Sequence, residues 1–202
     1  MINEDTPHPI FFIGISALYS IISCSIIARL DSRKQCNILN LEKAPESVRV
    51  IIDPIILAIR LLDVEELRKL KESYCRSDLD VKSRMSWSKV MEQVYSSYGY
   101  SVNSDNIEPD HIAVELEFAS ILFREAGEAL SRRDYHIFTQ RLIDAHRFIS
   151  THLVPALTQC TVPLANDLKD IVVLTIESIR PLVIRLVTEG LKHRAGRGFE
   201  PS

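Results

Sequence analysis

Glu108-Pro-Asp-His111, followed one turn later by Glu115, is the densest grouping in this 202-residue chain of side chains that can hold a proton, a metal ion or a cationic guest. Glu108 and His111 stand in the Glu-x-x-His spacing that carboxylate di-metal bundles use twice, together with further Glu ligands on other helices. Here the pair occurs once, because none of His8, His136, His146, His152 and His193 has Glu three residues before it. No metal centre and no cofactor are expected. Asp110 and His111 keep two readings: they cap a helix by taking its orphan N–H groups, or, with Glu108 and Glu115, they form an acidic recognition site for a basic peptide where a loop meets a helix.

That cluster needs a helix to carry it. Pro109 has the φ and the missing N–H of a first helical position and Asp110 complements the helix dipole, so a helix is expected to start here. Ile112, Leu116, Ala119, Phe123, Ala126 and Leu130 form its apolar stripe. Ser131 to Asp134 is a polar turn into a second stripe, Tyr135, Phe138, Leu142, Ala145 and Ile149, and Pro155 is expected to break the pattern at Val154. Before the cluster, Ser86 to Tyr98 has helical spacing and stops at Gly99. Its Trp87, Tyr95 and Tyr98 read as core packing, with a peptide groove as the alternative for Trp87.

Further out, Asp53-Pro54 resembles a helix start, and Asp63 with Glu66 a capping box opening a helix to about Tyr74, whose Arg68, Lys69, Lys71 and Glu72 read as a solvated face. Residues 31–46 read as a loop. Leu164 to Leu191 is helical, interrupted by Pro181, which is expected to kink or restart the helix. Ile10 to Ala28 lacks formal charge and is near the length of a membrane span. Its Ser16, Ser20 and Ser23 fall on one edge, which favours a buried core helix over an integral span, and the acidic Glu4 and Asp5 before it argue against a secretory signal.

Composition narrows the rest. A net charge of -3 gives no basic surplus for nucleic acid. Six glycines leave little for a phosphate-cradling loop, and no hydrolase, P-loop or dinucleotide motif is present, so an enzyme is not expected. The four cysteines have no C-x-x-C pair and read as reduced thiols in a cytoplasm. The expected architecture is all-α: one irregular helical bundle of about seven to nine helices over residues 1–190, with a flexible tail at 191–202.

The residues also resemble a family. Glu108-Pro-Asp-His111 with Glu115-Leu-Glu-Phe118 resembles the E-P-x-D-H...E-L-x-F signature of the TorD/DmsD/NarJ group of molybdoenzyme maturation chaperones, and Phe148-Ile-Ser-Thr-His152-Leu-Val-Pro155 resembles its F-x-x-x-H-L-x-P-W. Leu18-Tyr19 and the stretch Val90-Met91 to Tyr98-Gly99 resemble flanking elements of the group. The resemblance implies a TorD-like all-α cytoplasmic chaperone, monomeric or homodimeric, that catalyses no reaction. It binds the twin-arginine signal peptide of the precursor of a molybdopterin oxidoreductase catalytic subunit until the cofactor is inserted. The alternative is an accessory subunit that stays on a redox complex. Client contacts are expected at Glu108, Pro109, Asp110, His111 and Glu115, with Trp87, His152 and Pro155. The chain departs from the pattern at Ala156, where the second motif has Trp, at Tyr74-Cys-Arg-Ser-Asp-Leu79 and the Lys82 to Trp87 stretch, which replace an aromatic and proline-rich loop, and at Asp110-His111, which follows Pro109 directly, one residue shorter than the commonest form.

Overall fold

The computed structural model describes residues 7–31, 33–34, 46–102 and 106–195, and among them the chain is all-α. The helices are α1 (Pro9–Leu30), α2 (Glu46–Leu61), α3 (Val64–Arg68), α4 (Glu72–Cys75), α5 (Val81–Ser97), α6 (Ile112–Ser131), α7 (Tyr135–Phe148), α8 (Val154–Gln159) and α9 (Leu164–Ala195), with a π-helical turn, Ile149–Leu153, between α7 and α8. The expected loop at 31–46 lies mostly outside the described residues, as does the tail beyond Ala195, and α9 carries helical backbone past 191.

α6 is the central strut. Its expected stripe is buried from Ile112 through Leu130, and it packs on α1 and α7. The serine edge of α1 faces it: Ser120 Oγ donates to the Ser16 carbonyl at 2.9 Å, and the two hydroxyls lie 3.1 Å apart. Phe12 meets Phe138 edge-on, and Tyr19 meets Phe123 the same way. α1 is the one helix among the described residues long and apolar enough to cross a membrane, and it lies against α6 while Ile10, Phe11 and Ile13 are exposed.

Several boundaries differ from the sequence expectation. α6 begins at Ile112, not at Pro109, because His111 is extended (φ -77°, ψ 132°) and pairs with Lys71 in an antiparallel bridge. Pro54 sits inside α2 and does not start it. The bond lost at the Val50 carbonyl is tolerable because Val50 is exposed and water can take that group. The same reason carries α9 through Pro181, whose lost partner is the carbonyl of exposed Glu177. The expected helix from Asp63 splits into α3 and α4 across Lys69–Lys71, which is drawn into the bridge. Val154 remains helical (φ -62°, ψ -49°) before Pro155, the chain widening into a π turn instead of breaking. Gly99, at φ 80°, stops α5 as expected.

The thiol expectation is overturned: Cys75 and Cys160 are bonded across 85 positions, a separation with no local signature.

α1 approaches α6 tightly at Gly127, where an added Cβ would lie 2.9 Å from Ile13 Cγ1 and 3.1 Å from the Pro9 carbonyl oxygen. Gly14 faces open space. Gly14→Ala is expected to stabilise by about 0.5–1 kcal/mol through helix propensity. Gly127→Ala is expected to destabilise by roughly 1–3 kcal/mol through overpacking. Urea unfolding midpoints of the two variants check this, and equal shifts would contradict the contact.

Candidate functional site

Residues 69–80 form a strap across the start of α6. Backbone bonds fix it: Glu72 N donates to Asp110 O at 2.7 Å and Ile112 N to Leu70 O at 2.8 Å. Side chains then close the seam. Lys71 pairs with Glu108, and Asp110 accepts from Ser73 Oγ, from Ser73 N at 3.3 Å and from Ser88 Oγ at 2.9 Å. Tyr95 Oη donates to the Pro109 carbonyl at 2.8 Å. Ser73 and Ser88, not the N-terminal amides of α6, take up the Asp110 carboxylate.

His111 is the cap. Its Nδ1 accepts from Ala113 N at 3.1 Å, which leaves Nε2 to donate to the Leu67 carbonyl at 3.0 Å and so fixes the tautomer. Burial, only partly opposed by the Leu67 carbonyl, pulls its pKa down to about 4. His111 is therefore a neutral structural imidazole at neutral pH.

Behind the cap lies a buried acidic pair. Glu72, read from sequence as part of a solvated face, is 0% exposed: Oε1 accepts from Arg76 Nη1 at 2.9 Å and Oε2 faces His152 Nδ1 at 3.0 Å. Burial pushes its carboxyl up, but His152, Trp87 and Arg76 more than offset this and hold it below the usual range. Trp87 Nε1 points its dipole near Glu72 without closing a hydrogen bond of ordinary geometry. Glu115 is also fully buried and neither of its oxygens has a partner. Burial first, then the charges of Glu72 and Asp110, raise its pKa well above the usual range and so favour its protonated form.

The strap's far side reaches the π turn and α8. Arg76 lies over the Trp87 ring, 5.4 Å from its centroid, and also donates to Thr151 O at 3.3 Å. Ser77 donates from N and Oγ to Gln159 Oε1, at 2.8 and 2.7 Å. The Cys75–Cys160 bond lies alongside. π turns often mark functional positions, and this one presents His152 between Phe148, at 5.0 Å between ring centres, and Trp87, at 6.3 Å.

Of the expected residues, Glu108, Pro109, Asp110, His111, Glu115, Trp87 and His152 meet at this seam. Pro155 stands at the first turn of α8. Asp110, His111 and Glu115 are buried, while Glu108 and Trp87 reach the rim. Ala156, where the resembling motif has Trp, is wholly buried. Sequence reasoning missed Glu72, Ser73, Arg76 and Asp78. The i, i+4 spacing of Glu72 and Arg76 was a visible signal, but burial was not. On the other side of Tyr95 and Phe118, a cavity of about 300 Å³ is lined by Val102, Ile107, Val114 and Ile121, with Lys34 and Glu117 at its polar edge.

The titrations give opposite pH signatures. Glu115, raised in the fold, contributes full stability below its ordinary value and loses it as pH climbs. Glu115→Gln should therefore lose less stability than the parent as pH rises above the ordinary carboxyl range. His111, depressed in the fold, contributes stability above about 6.5 that disappears as pH falls toward 4, and His111→Gln should flatten that acid limb. Urea unfolding across pH reads both, and curves parallel to the parent's would contradict the assignments.

Residues 73–161, the span from the strap through α8, match the model of the nitrate reductase delta subunit family, a family of molybdoenzyme maturation chaperones, in agreement with the TorD/DmsD/NarJ resemblance of the sequence.

Proposed function

We propose that this chain is a maturation chaperone that binds the twin-arginine signal peptide of the precursor of a molybdopterin oxidoreductase catalytic subunit and holds it through cofactor insertion. The observation that carries the reading is the acidic seam within and beside the matched segment: Glu72, Asp110 and Glu115 are buried, and Glu108 and Asp78 stand about half exposed at its rim. Such a rim attracts a basic peptide, and the apolar cavity behind Tyr95 gives the hydrophobic stretch of a leader a place to lie. Recognition, holding and release take the place of catalysis. Because the precursor is loaded before export, the reading places the chain in the cytoplasm, where the thiol pool decides whether Cys75 and Cys160 are joined.

A second reading is an accessory subunit that stays on the mature complex, in line with the name of the matched family, the nitrate reductase delta subunit. Co-purification separates the two: a chaperone comes down with precursor lacking cofactor, a subunit with the finished enzyme.

Titration with a leader peptide tests the first reading. An Arg-Arg peptide should bind, its Lys-Lys counterpart should bind about tenfold more weakly, and Asp110→Asn with His111→Asn should weaken binding at unchanged helical content. Equal affinity of all combinations would move the site elsewhere.

A further inference from the structure

The surroundings of Arg76 are built like a receptor for a guanidinium group. Nε and Nη2 lie 3.0 and 2.6 Å from the two oxygens of Asp78, a bidentate fork. Nη1 reaches Glu72 Oε1 at 2.9 Å and Thr151 O at 3.3 Å, and the Trp87 ring closes one face at 5.4 Å.

Each wall of this cradle is positioned by something other than Arg76. Glu72 is held by His152 Nδ1 at 3.0 Å, and Gln159 Nε2 donates to Asp78 Oδ1 at 3.2 Å. Trp87 is fixed by α5 and by the His152 ring. Thr151 sits in the π turn, its hydroxyl bonded to Arg147 O at 2.9 Å. Withdrawal of the Arg76 side chain therefore leaves an assembled, strongly anionic site. It also leaves a mouth, because Asp78 is 48% exposed while the Arg76 side chain is 15% exposed. Arg76 enters from residues 76–80, which belong to no helix, so its side chain can leave without unwinding one.

We infer that Glu72, Asp78, Trp87 and the Thr151 carbonyl form an arginine-binding site that Arg76 fills as an internal ligand, and that an arginine of an incoming peptide enters by displacing Arg76. The inference rests on the proposed function for the identity of the peptide; the cradle itself does not depend on it. A lysine gives the site a charge but no fork, so the exchange selects arginine over lysine. Arg76 also keeps the anionic site closed to small cations while no peptide is present.

Trp87 is the chain's one tryptophan, so its fluorescence reports on the cradle alone. In Arg76→Ala, methylguanidinium should change the Trp87 emission saturably and raise the melting temperature, whereas methylammonium at equal concentration should do neither. Asp78→Asn in the same background should abolish the response. An Arg-Arg peptide should bind Arg76→Ala about tenfold more tightly than the parent, and a Lys-Lys peptide should gain nothing. If Arg76→Ala does not fold, Arg76→Lys replaces it, keeping a charge at the site and losing the fork; the Arg-Arg peptide should gain affinity there too. Absence of a methylguanidinium response, or an equal response to methylammonium, overturns the cradle even where the parent binds peptide. Parent affinity unchanged or reduced by loss of Arg76 overturns the displacement alone. Methylguanidinium binding with no peptide binding by any variant overturns the displacement together with the chaperone reading.

Discussion

The pairing of Leu70–Glu72 with Asp110–Ile112 is the constraint on which the site depends. Two backbone bonds, Glu72 N to Asp110 O and Ile112 N to Leu70 O, bring a strap with one buried carboxyl, Glu72, over a helix start that buries two more, Asp110 and Glu115. Concentrating these groups away from water is costly, and each is handled differently. Asp110 is met by serine hydroxyls, Glu72 by Arg76 and His152, and Glu115 by a raised pKa that favours its neutral form. The polarity of the seam is thus fixed by tertiary contacts that no helix of the bundle makes alone.

This explains what the sequence made legible. The stripe from Ile112 to Leu130, the stop at Gly99 and the serine edge of α1 follow from period and local chemistry, and the fold bears them out. The start of α6 was misplaced because the signals at Pro109 and Asp110 are local, whereas the bridge to Lys71 is 40 positions away in sequence and wins. The same remoteness hid Glu72: its neighbours Arg68, Lys69 and Lys71 describe a wet surface, and only the arrival of His152 and Arg76 makes a dry one. Proline at positions 54 and 155 is read too strongly in the sequence, since a missing N–H matters little where the carbonyl it abandons meets water or where a π turn absorbs it. The grouping of the site residues was legible, but their accessibility was not.

The seam also separates groups that hold it together from groups that reach its surface. Asp110 and His111 keep the strap in place, while Glu108, Asp78 and Trp87 stand at the rim. A single motif therefore carries both the hinge of the site and part of its rim, with the α6 core as a fixed platform beneath.

The Cys75–Cys160 bond joins two points close to the ends of the span that matches the family model, residues 73–161. With the bond formed, α5, α6, α7 and α8 lie on a closed covalent ring, and the rest of the chain leaves it as two arms. A ring cut once remains one molecule. A nick anywhere between Cys75 and Cys160, including the segment that joins α5 to α6, would leave both halves tethered beside the strap until a reductant separates them.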